Sequence, residues 1–227
     1  MDVRHSSTAL CAALCAAVLW VAGPGVSHAD AATAGACHLQ GLANISPPLG
    51  SSSGSFAYSF TGALSSCESN VAGAPMSGTV SAGIQLPETV TLTCATGTTT
   101  GSVLYQEPIA QGTGSCGSST TAGEALITWG DGLHTVANYS TTGALAAVEL
   151  EGTVAPGMTL TLVASSVPAG CTAPASFTID SDEPVFMDGQ SALALLTFSP
   201  STQDQNCVTV GVSSANIDGV VAIGSAS

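Results

Sequence analysis

Lysine is absent from the sequence, and the single arginine, Arg4, lies close to the N terminus. The sequence contains 15 acidic residues, so its formal net charge is −14. Nucleic-acid binding depends on cationic side chains that neutralise phosphates, so this class of function is excluded. Attraction to anionic membrane surfaces requires the same side chains and is excluded for the same reason. The carboxylates must therefore be solvated, hydrogen-bonded or bound to a metal ion.

The first 29 residues have the pattern of a secretory signal peptide. Arg4 supplies a basic head, residues 9–22 form an apolar run, and residues 27–29, Ser-His-Ala, have the small residues that signal peptidase recognises. The apolar run is shorter than the roughly 20 residues that a membrane-spanning helix needs, which argues against the alternative of a retained anchor. We therefore predict cleavage after Ala29 and a secreted, extracellular protein of residues 30–227, without lysine or arginine.

Long helix-forming side chains are scarce, whereas threonine, valine, serine and glycine are abundant. This composition favours strands and turns. Short alternating segments occur at residues 55–60, 89–94, 125–129, 133–139 and 159–163, and Gly-Asp-Gly and Asp-Gly turn signals predict hairpins at residues 130–132 and 188–189. The second hairpin would join a strand at residues 185–187 to one at residues 191–198, although a buried helix is the alternative for the latter segment. We predict one all-β domain, an antiparallel sandwich or partly closed barrel of about ten or more strands.

Six cysteines follow the predicted leader, and no two are close enough for a C-x-x-C zinc motif. An even number in an exported chain indicates three disulfides. We favour sequential pairing, since two of the resulting pairs are centred on turn signals. An internal duplication suggests a rival, in which Cys37 pairs with Cys94 and Cys116 pairs with Cys171. The sequential pairs are Cys37–Cys67, Cys94–Cys116 and Cys171–Cys207.

An internal echo indicates that the domain consists of two related halves. Residues 58–64 match residues 139–145 at six of seven positions, and the Gly-Thr-Val of residues 78–80 recurs at residues 152–154. The order is preserved and the offsets are similar, which is the signature of duplication. The halves are predicted at about residues 37–115 and 116–218. Glycines within these strand patterns predict bulges or sharp bends.

The spacing of several of these motifs resembles that of a known group of proteins. The motifs are the Cys-x-Leu-x-Gly that begins at Cys37, the Tyr-Ser-Phe-x-Gly-x-Leu-x-x-Cys that ends at Cys67, the Gly-Ser-Cys that ends at Cys116, and the Ile-Thr-Trp of residues 127–129. They are similar to motifs of an uncharacterised family of small secreted, cysteine-containing β-proteins of actinobacteria, loosely described as immunoglobulin-like. The resemblance covers most of the predicted mature chain. It implies a disulfide-stapled β-fold and no activity, and Cys94 and Cys207 lie outside its pattern.

No catalytic residue and no cofactor-binding residue is predicted. A Gly-x-Ser-x-Gly pattern places Ser52 in a Ser/Gly-rich stretch that precedes a strand, whereas a nucleophile elbow needs a strand that turns into a helix. His38 and His134 are the histidines beyond the leader, and Asp131 lies near His134 at a predicted hairpin tip, where it is expected to be exposed. A catalytic triad requires a histidine between a carboxylate and a nucleophile in an enclosed site.

An acidic segment is the one candidate for metal binding. Hard cations such as Ca²⁺ take several oxygen ligands from such loops. We therefore predict weak calcium binding by this segment. The alternative is an acidic loop that is only solvated. The candidate ligands are Asp180, Asp182, Glu183 and Asp188.

Taken together, these features predict a secreted, non-enzymatic structural or binding protein. The partner is left open, with another protein or a cell surface as the expected class. The alternative is a secreted hydrolase or hydrolase inhibitor. A cleft in which carboxylates converge with His38 or His134 would favour the enzyme, whereas a closed or apolar surface would favour binding.

Overall fold

Residues 34–224 are described by the structure, which is a computed structural model; the predicted signal peptide lies outside this range. Regular structure within it is almost entirely β-strand, which confirms the all-β prediction, and Ala164–Ser166 form a short 3₁₀ turn. A helix long and apolar enough to cross a membrane is absent from these residues. The strands are β1 (Ala34–Leu49), β2 (Gly54–Ser69), β3 (Gly78–Ala82), β4 (Gln85–Cys94), β5 (Gly97–Gln106), β6 (Ala110–Gly114), β7 (Ser118–Trp129), β8 (His134–Ala144), β9 (Ala147–Ala155), β10 (Gly157–Leu162), β11 (Cys171–Thr172), β12 (Ser176–Asp180), β13 (Ser191–Pro200) and β14 (Val212–Gly224).

Eight strands close into an antiparallel barrel. Their order is β1-β14-β13-β9-β8-β7-β3-β2, and β2 pairs back onto β1. Side chains on a strand point alternately to its two faces, so apolar residues spaced two apart line the barrel interior. In β2, the buried side chains of Phe56, Phe60 and Leu64 follow this period. Of the two predicted architectures, the protein adopts the barrel, and the barrel is fully closed.

One position in the barrel wall is filled by two short strands. β3 pairs with the Phe60–Leu64 part of β2, and β6 pairs with its Gly54–Tyr58 part. Both strands also pair with β7 on their other side. The chain therefore leaves the wall after β3, makes the β4–β5 hairpin outside the barrel, and returns as β6 to complete the same position.

A second sheet, in the order β11-β4-β5-β10-β12, packs against the outside of the barrel. It buries Tyr105 and Leu160 against the outward-facing Leu126 and Val136 of β7 and β8. This contact forms a second apolar cluster, separate from the barrel interior. Strands β4 and β5 come from the first half of the chain, whereas β10, β11 and β12 come from the second. The two halves therefore interlock in this sheet as well as in the barrel.

The echoed motifs lie in similar pairs of neighbouring strands but at different registers, since Gly78 pairs with Leu64 whereas Gly152 pairs with Tyr139. β2 and β8 carry the Tyr-containing motif, and each is followed by a neighbouring strand, β3 or β9, that carries the Gly-Thr-Val motif. Glycine is required in the second motif because a Cβ atom at Gly152 would lie 2.3 Å from the carbonyl oxygen of Asn138. A Cβ atom at Gly78 would lie 2.9 Å from the carbonyl oxygen of Thr128. Both glycines thus allow adjacent strands to approach closely.

Three disulfides form, as predicted, but two of their pairings differ from the prediction. Cys37–Cys67 is confirmed, whereas the other two bonds are Cys94–Cys171 and Cys116–Cys207. The predicted Cys94–Cys116 and Cys171–Cys207 pairs are therefore wrong, as is the rival pairing. Sequential pairing assumed that each disulfide staples a local hairpin. Instead, Cys94 in β4 lies directly opposite Cys171 in β11, and Cys116 and Cys207 meet between two loops at one end of the barrel.

The second predicted hairpin is also wrong. Residues 185–187 form a turn instead of a strand, while the Ser191–Pro200 strand is present and the helix alternative is not. The Asp-Gly signal at residues 188–189 does mark a turn, but the Val185-Phe186-Met187 segment before it does not pair as a strand. Tertiary packing explains the difference, because the turn inserts Phe186 into the barrel core, where it stacks on Trp129 with ring centroids 4.8 Å apart.

Candidate functional site

The barrel interior contains a cavity of about 390 Å³. Its walls are formed by the inward-facing residues of all eight barrel strands, and aliphatic and aromatic side chains predominate. Small-molecule sites usually enclose about 300–1,000 Å³ and are mostly apolar, so the cavity has the size and character of such a site. The two halves of the chain contribute to it together.

The cavity reaches the surface at the end of the barrel where β1 and β13 finish. Exposed Leu145, in the turn between β8 and β9, and Pro200, at the end of β13, both line it. Leu145 is 81% exposed. The Cys116–Cys207 disulfide lies at the same end and also lines the cavity. We call this end the mouth.

The opposite end is closed by packed side chains. Trp129, which is 3% exposed, stacks on Phe186, and its indole N–H donates a hydrogen bond of 2.8 Å to the hydroxyl of Thr135. The confirmed Cys37–Cys67 disulfide lies at this end too, near the start of β1. A buried indole N–H needs such a partner, since leaving it unpaired would cost stability. The cavity therefore opens at one end of the barrel.

Four hydroxyl groups form a cluster on the cavity wall. The hydroxyl of Tyr58 hydrogen-bonds to that of Tyr139, and it lies 3.2 Å from the hydroxyl of Thr121. The Thr121 hydroxyl in turn lies 2.6 Å from that of Thr141. All four residues line the cavity. We call Tyr58, Thr121, Tyr139 and Thr141 the hydroxyl cluster.

Burial raises the pKa of both tyrosines in the hydroxyl cluster. For Tyr139 the desolvation of the phenol is the largest cause, followed by the proximity of Tyr58. For Tyr58 the same desolvation outweighs the opposing effect of its hydrogen bonds to Thr121 and Tyr139. Desolvation disfavours the charged form of any titratable group. The tyrosines therefore remain neutral hydroxyls, and this part of the cavity is unfavourable for negative charge.

Carboxylates and histidines do not line the cavity among the described residues. Glu107, in the segment between β5 and β6, also raises the pKa of Tyr139 through its charge, although it does not line the cavity. Glu107 is 1% exposed and accepts hydrogen bonds from the hydroxyl of Ser81, at 2.6 Å, and the backbone N–H of Ile84, at 3.0 Å. Burial raises its pKa in spite of these two bonds. Glu107 thus holds, by hydrogen bonds, the segment in which the chain leaves the barrel wall after β3.

The four calcium candidates have different surroundings in the structure. Asp182 accepts a hydrogen bond of 2.6 Å from the backbone N–H of His134, while Glu183 is 4% exposed and accepts one of 3.1 Å from the backbone N–H of Val185. Asp180, at the end of β12, and Asp188, in a turn, are exposed. Nowhere in residues 34–224 do three histidine, cysteine, aspartate or glutamate side chains come together as a metal-ligand group.

Glu183 is unusual because its second carboxylate oxygen, Oε2, is buried and has no hydrogen-bond partner. Burial raises the pKa of this carboxyl group, and the nearby carboxyl groups of Asp131 and Asp182 raise it further. An ionised carboxylate in this setting is costly, so protonation of Glu183 is favoured. The acidic segment thus contains one buried carboxyl group that favours its neutral form, next to the Phe186 turn that closes the barrel.

A shallower groove of about 590 Å³ runs between β4 and the outer barrel wall. Glu88 and His134 both line it. Burial raises the pKa of Glu88, and the charge of His134 opposes this rise. His38 is elsewhere, on the outside of the barrel, where its Nε2 lies 3.4 Å from a carboxylate oxygen of Asp218. Ser52 is exposed in the loop between β1 and β2, where it is not flanked by a helix.

Sequence reasoning found the inward face of β2 and the repeated tyrosine, but it did not find the cavity. The alternation of Phe56, Tyr58 and Phe60 was the signal for one wall. The cavity could not be predicted in this way, because its size depends on the inward-facing residues of all eight strands. No protein-family model, curated protein or solved structure matches the chain. The geometry of the cavity is therefore the main guide to function.

Proposed function

We propose that the protein is a secreted, non-enzymatic binding protein that takes a small apolar molecule into the interior of its barrel. The observation that carries the proposal is the apolar cavity of about 390 Å³ with a mouth at one end. Export is supported by the leader pattern of the sequence and by three disulfides, which persist in oxidising compartments. Membership of the actinobacterial family of secreted β-proteins is part of the same proposal.

Packing supports a ligand in preference to a purely structural role. Protein interiors are as dense as organic crystals, and voids larger than a water molecule are few. Each Å³ of cavity left in a core costs about 24 cal/mol in mutational series. A barrel optimised only for stability would fill its interior with larger side chains, yet small ones such as Ala43, Ala125 and Ala194 line this cavity. A ligand that fills the space explains their size.

The test is direct binding of a neutral fluorescent dye, N-phenylnaphthylamine, whose emission rises in apolar surroundings. Wild type is expected to bind the dye at one site. Ala125→Phe, on the inward face of β7, is expected to abolish this binding because the ring occupies the cavity. Ala122→Phe places the same ring on the exposed face of the same strand and is the matched control. Thermal melting verifies that both variants fold. Equal dye binding by all three proteins would refute the proposal.

A hydrolase is the second candidate, since the outer groove brings Glu88 and His134 together. A carboxylic acid with a raised pKa beside a histidine is suited to general acid–base chemistry. The test is hydrolysis of nitrophenyl esters and glycosides by wild type, Glu88→Gln and His134→Gln. Turnover by wild type that both substitutions abolish would favour the enzyme. Equal background rates for the three proteins, which we expect, would leave binding as the function.

A further inference from the structure

We propose that the ligand is electrically neutral and carries a hydroxyl or carbonyl oxygen that hydrogen-bonds to the hydroxyl cluster. This inference rests on the proposed function and specifies the chemistry of the molecule that the barrel accepts. It follows from the polar groups that line the cavity and from the charges that its walls lack. Three properties of the described residues lead to it.

The hydroxyl cluster has a hydrogen-bond donor to spare. Its four side chains carry four hydroxyl protons, and they make three hydrogen bonds to one another: Tyr139 to Tyr58, Tyr58 to Thr121, and Thr121 to Thr141. Three bonds use three of the protons, whichever group donates in each. One proton therefore remains, and no further side-chain partner of these hydroxyls is present in residues 34–224. An oxygen atom of a bound molecule would accept it.

The position of the hydroxyl cluster makes this proton available to a ligand. Its four side chains are among the residues that line the cavity, and the lining deeper in the barrel is aliphatic and aromatic, since the serines of the lining (Ser115, Ser118, Ser119 and Ser199) lie on the mouth side of the hydroxyl cluster. The ring of Tyr58 lies between those of Phe56 and Phe60, with centroid distances of 6.5 and 6.3 Å. A ligand would thus find one polar anchor within an apolar wall. Sites for small molecules typically combine these features, because the anchor sets the orientation and the wall provides the affinity.

Charged ligands are disfavoured because the cavity offers them no counter-charge. The described chain contains no lysine or arginine, and no histidine or carboxylate lines the cavity. Burial of a carboxylate or ammonium ion without a partner is far more costly than burial of a neutral hydroxyl group that is hydrogen-bonded. Fatty-acid anions and amines are therefore poor ligands. Alcohols, ketones and related neutral lipid-like molecules fit.

The test uses three molecules with the same ring: naphthalene, naphthalenemethanol and naphthoate, titrated calorimetrically against wild type at pH 7.5. Naphthalenemethanol is expected to bind, and naphthoate is expected to bind at least about 30-fold more weakly because its charge has no partner. Naphthalene, which has no oxygen, reports on the apolar wall alone. Equal affinity for naphthoate and naphthalenemethanol would overturn the inference.

The double variant Tyr58→Phe/Tyr139→Phe locates the anchor. The double variant should lower the affinity for naphthalenemethanol by about 3- to 10-fold and leave the affinity for naphthalene unchanged. Only naphthalenemethanol has an oxygen that can hydrogen-bond to the hydroxyl cluster. Equal weakening of both would show that shape, and not the anchor, was altered, and would refute the assignment. Thr121→Val, which removes the middle of the chain of hydroxyls, is the second variant if the double variant does not fold. Absence of naphthalene binding and dye binding in wild type would instead refute the proposed function itself.

Discussion

The hydroxyl groups of Tyr58 and Tyr139 hydrogen-bond to each other inside the barrel, although 81 residues separate them in the chain. Each tyrosine occupies the same position in one of the two echoed motifs. Each also points inwards from a strand, β2 or β8, that is followed by a Gly-Thr-Val strand. The two copies of this side chain therefore meet in the barrel interior, although β7 and the position shared by β3 and β6 lie between their strands. This contact forms part of the hydroxyl cluster in a mainly apolar cavity.

The first prediction concerns pH. Burial raises the pKa of Glu107 and of Glu183 in the folded protein. Stability from such groups is fully present below their unfolded pKa and is lost as pH rises through the folded pKa. The melting temperature should therefore rise when the pH is lowered from 7 to 5. Calorimetry across this range measures it, and a steady fall of the melting temperature towards pH 5 would contradict the prediction.

Replacement of the buried carboxyl group of Glu107 should remove part of the pH dependence of stability. Glu107→Gln is expected to raise the free energy of unfolding at pH 7.5 by on the order of 1 kcal/mol, because the amide carries no charge to desolvate. Its oxygen can accept from Ile84 N–H and its NH₂ group can donate to Ser81, so both contacts survive. Glu151→Gln, at an exposed site on β9, is the control and should have little effect. A strongly destabilised Glu107→Gln protein would contradict this account.

The second prediction separates the roles of two disulfides. Loss of either long-range bond should reduce the free energy of unfolding by about 2–5 kcal/mol, since each closes a large loop. Only Cys116→Ala/Cys207→Ala should also weaken dye binding, because this disulfide lines the cavity at the mouth. Cys94→Ala/Cys171→Ala alters the outer sheet and is the matched control. Equal dye affinity in the two variants would contradict a role for the mouth. Peptide mapping of the unreduced protein verifies the pairing.

The third prediction tests the close approach of strands at the repeated glycine. Gly152→Ala should destabilise the protein by about 1–3 kcal/mol, because its Cβ would lie 2.3 Å from the carbonyl oxygen of Asn138 and the backbone must shift. Gly54→Ala, at the start of β2, is the control, since its Cβ would meet no atom within 4 Å. Chemical denaturation measures both. Similar stabilities for the two variants would show that β8 and β9 separate easily.

The fourth prediction concerns the acidic segment. We expect millimolar calcium to leave the melting temperature unchanged, because the described residues gather no three metal ligands. Melting is compared with calcium, with magnesium and with a chelator, for wild type and Asp182→Asn. Weak binding, at Kd values on the order of 10⁻⁴–10⁻³ M, would produce a modest upward shift with calcium. Such a shift in wild type that Asp182→Asn abolishes would establish the calcium site instead.

The fifth prediction follows from the leader and the absence of cationic residues beyond it. The protein released by a secreting host should begin at Asp30 and contain no site for trypsin, even after reduction and denaturation. Intact-mass measurement before and after trypsin treatment is the test. A tryptic fragment that begins within residues 31–227, or a secreted chain that retains Arg4, would contradict it.

Local patterns in the sequence were sufficient for the fold class and for several of the strands, although the strand predicted at residues 185–187 is a turn. Period-two alternation predicted the inward face of β2, and the Gly-Asp-Gly signal predicted the turn between β7 and β8. These features depend on neighbours a few residues apart, which a linear pattern records. The repeated tyrosine motif was visible for the same reason. The expectation of export also rests on a continuous segment.

The cavity, two of the disulfides and the closure of the barrel depended on the tertiary structure. Cys94 meets Cys171, and Cys116 meets Cys207, because strands and loops distant in sequence become neighbours when the barrel and outer sheet form. Phe186 lies in a turn, and not in the predicted strand, because this conformation lets its ring stack on Trp129 in the core. The cavity between the walls is formed by all eight strands together. No single segment encodes it, so only the closed barrel revealed the site.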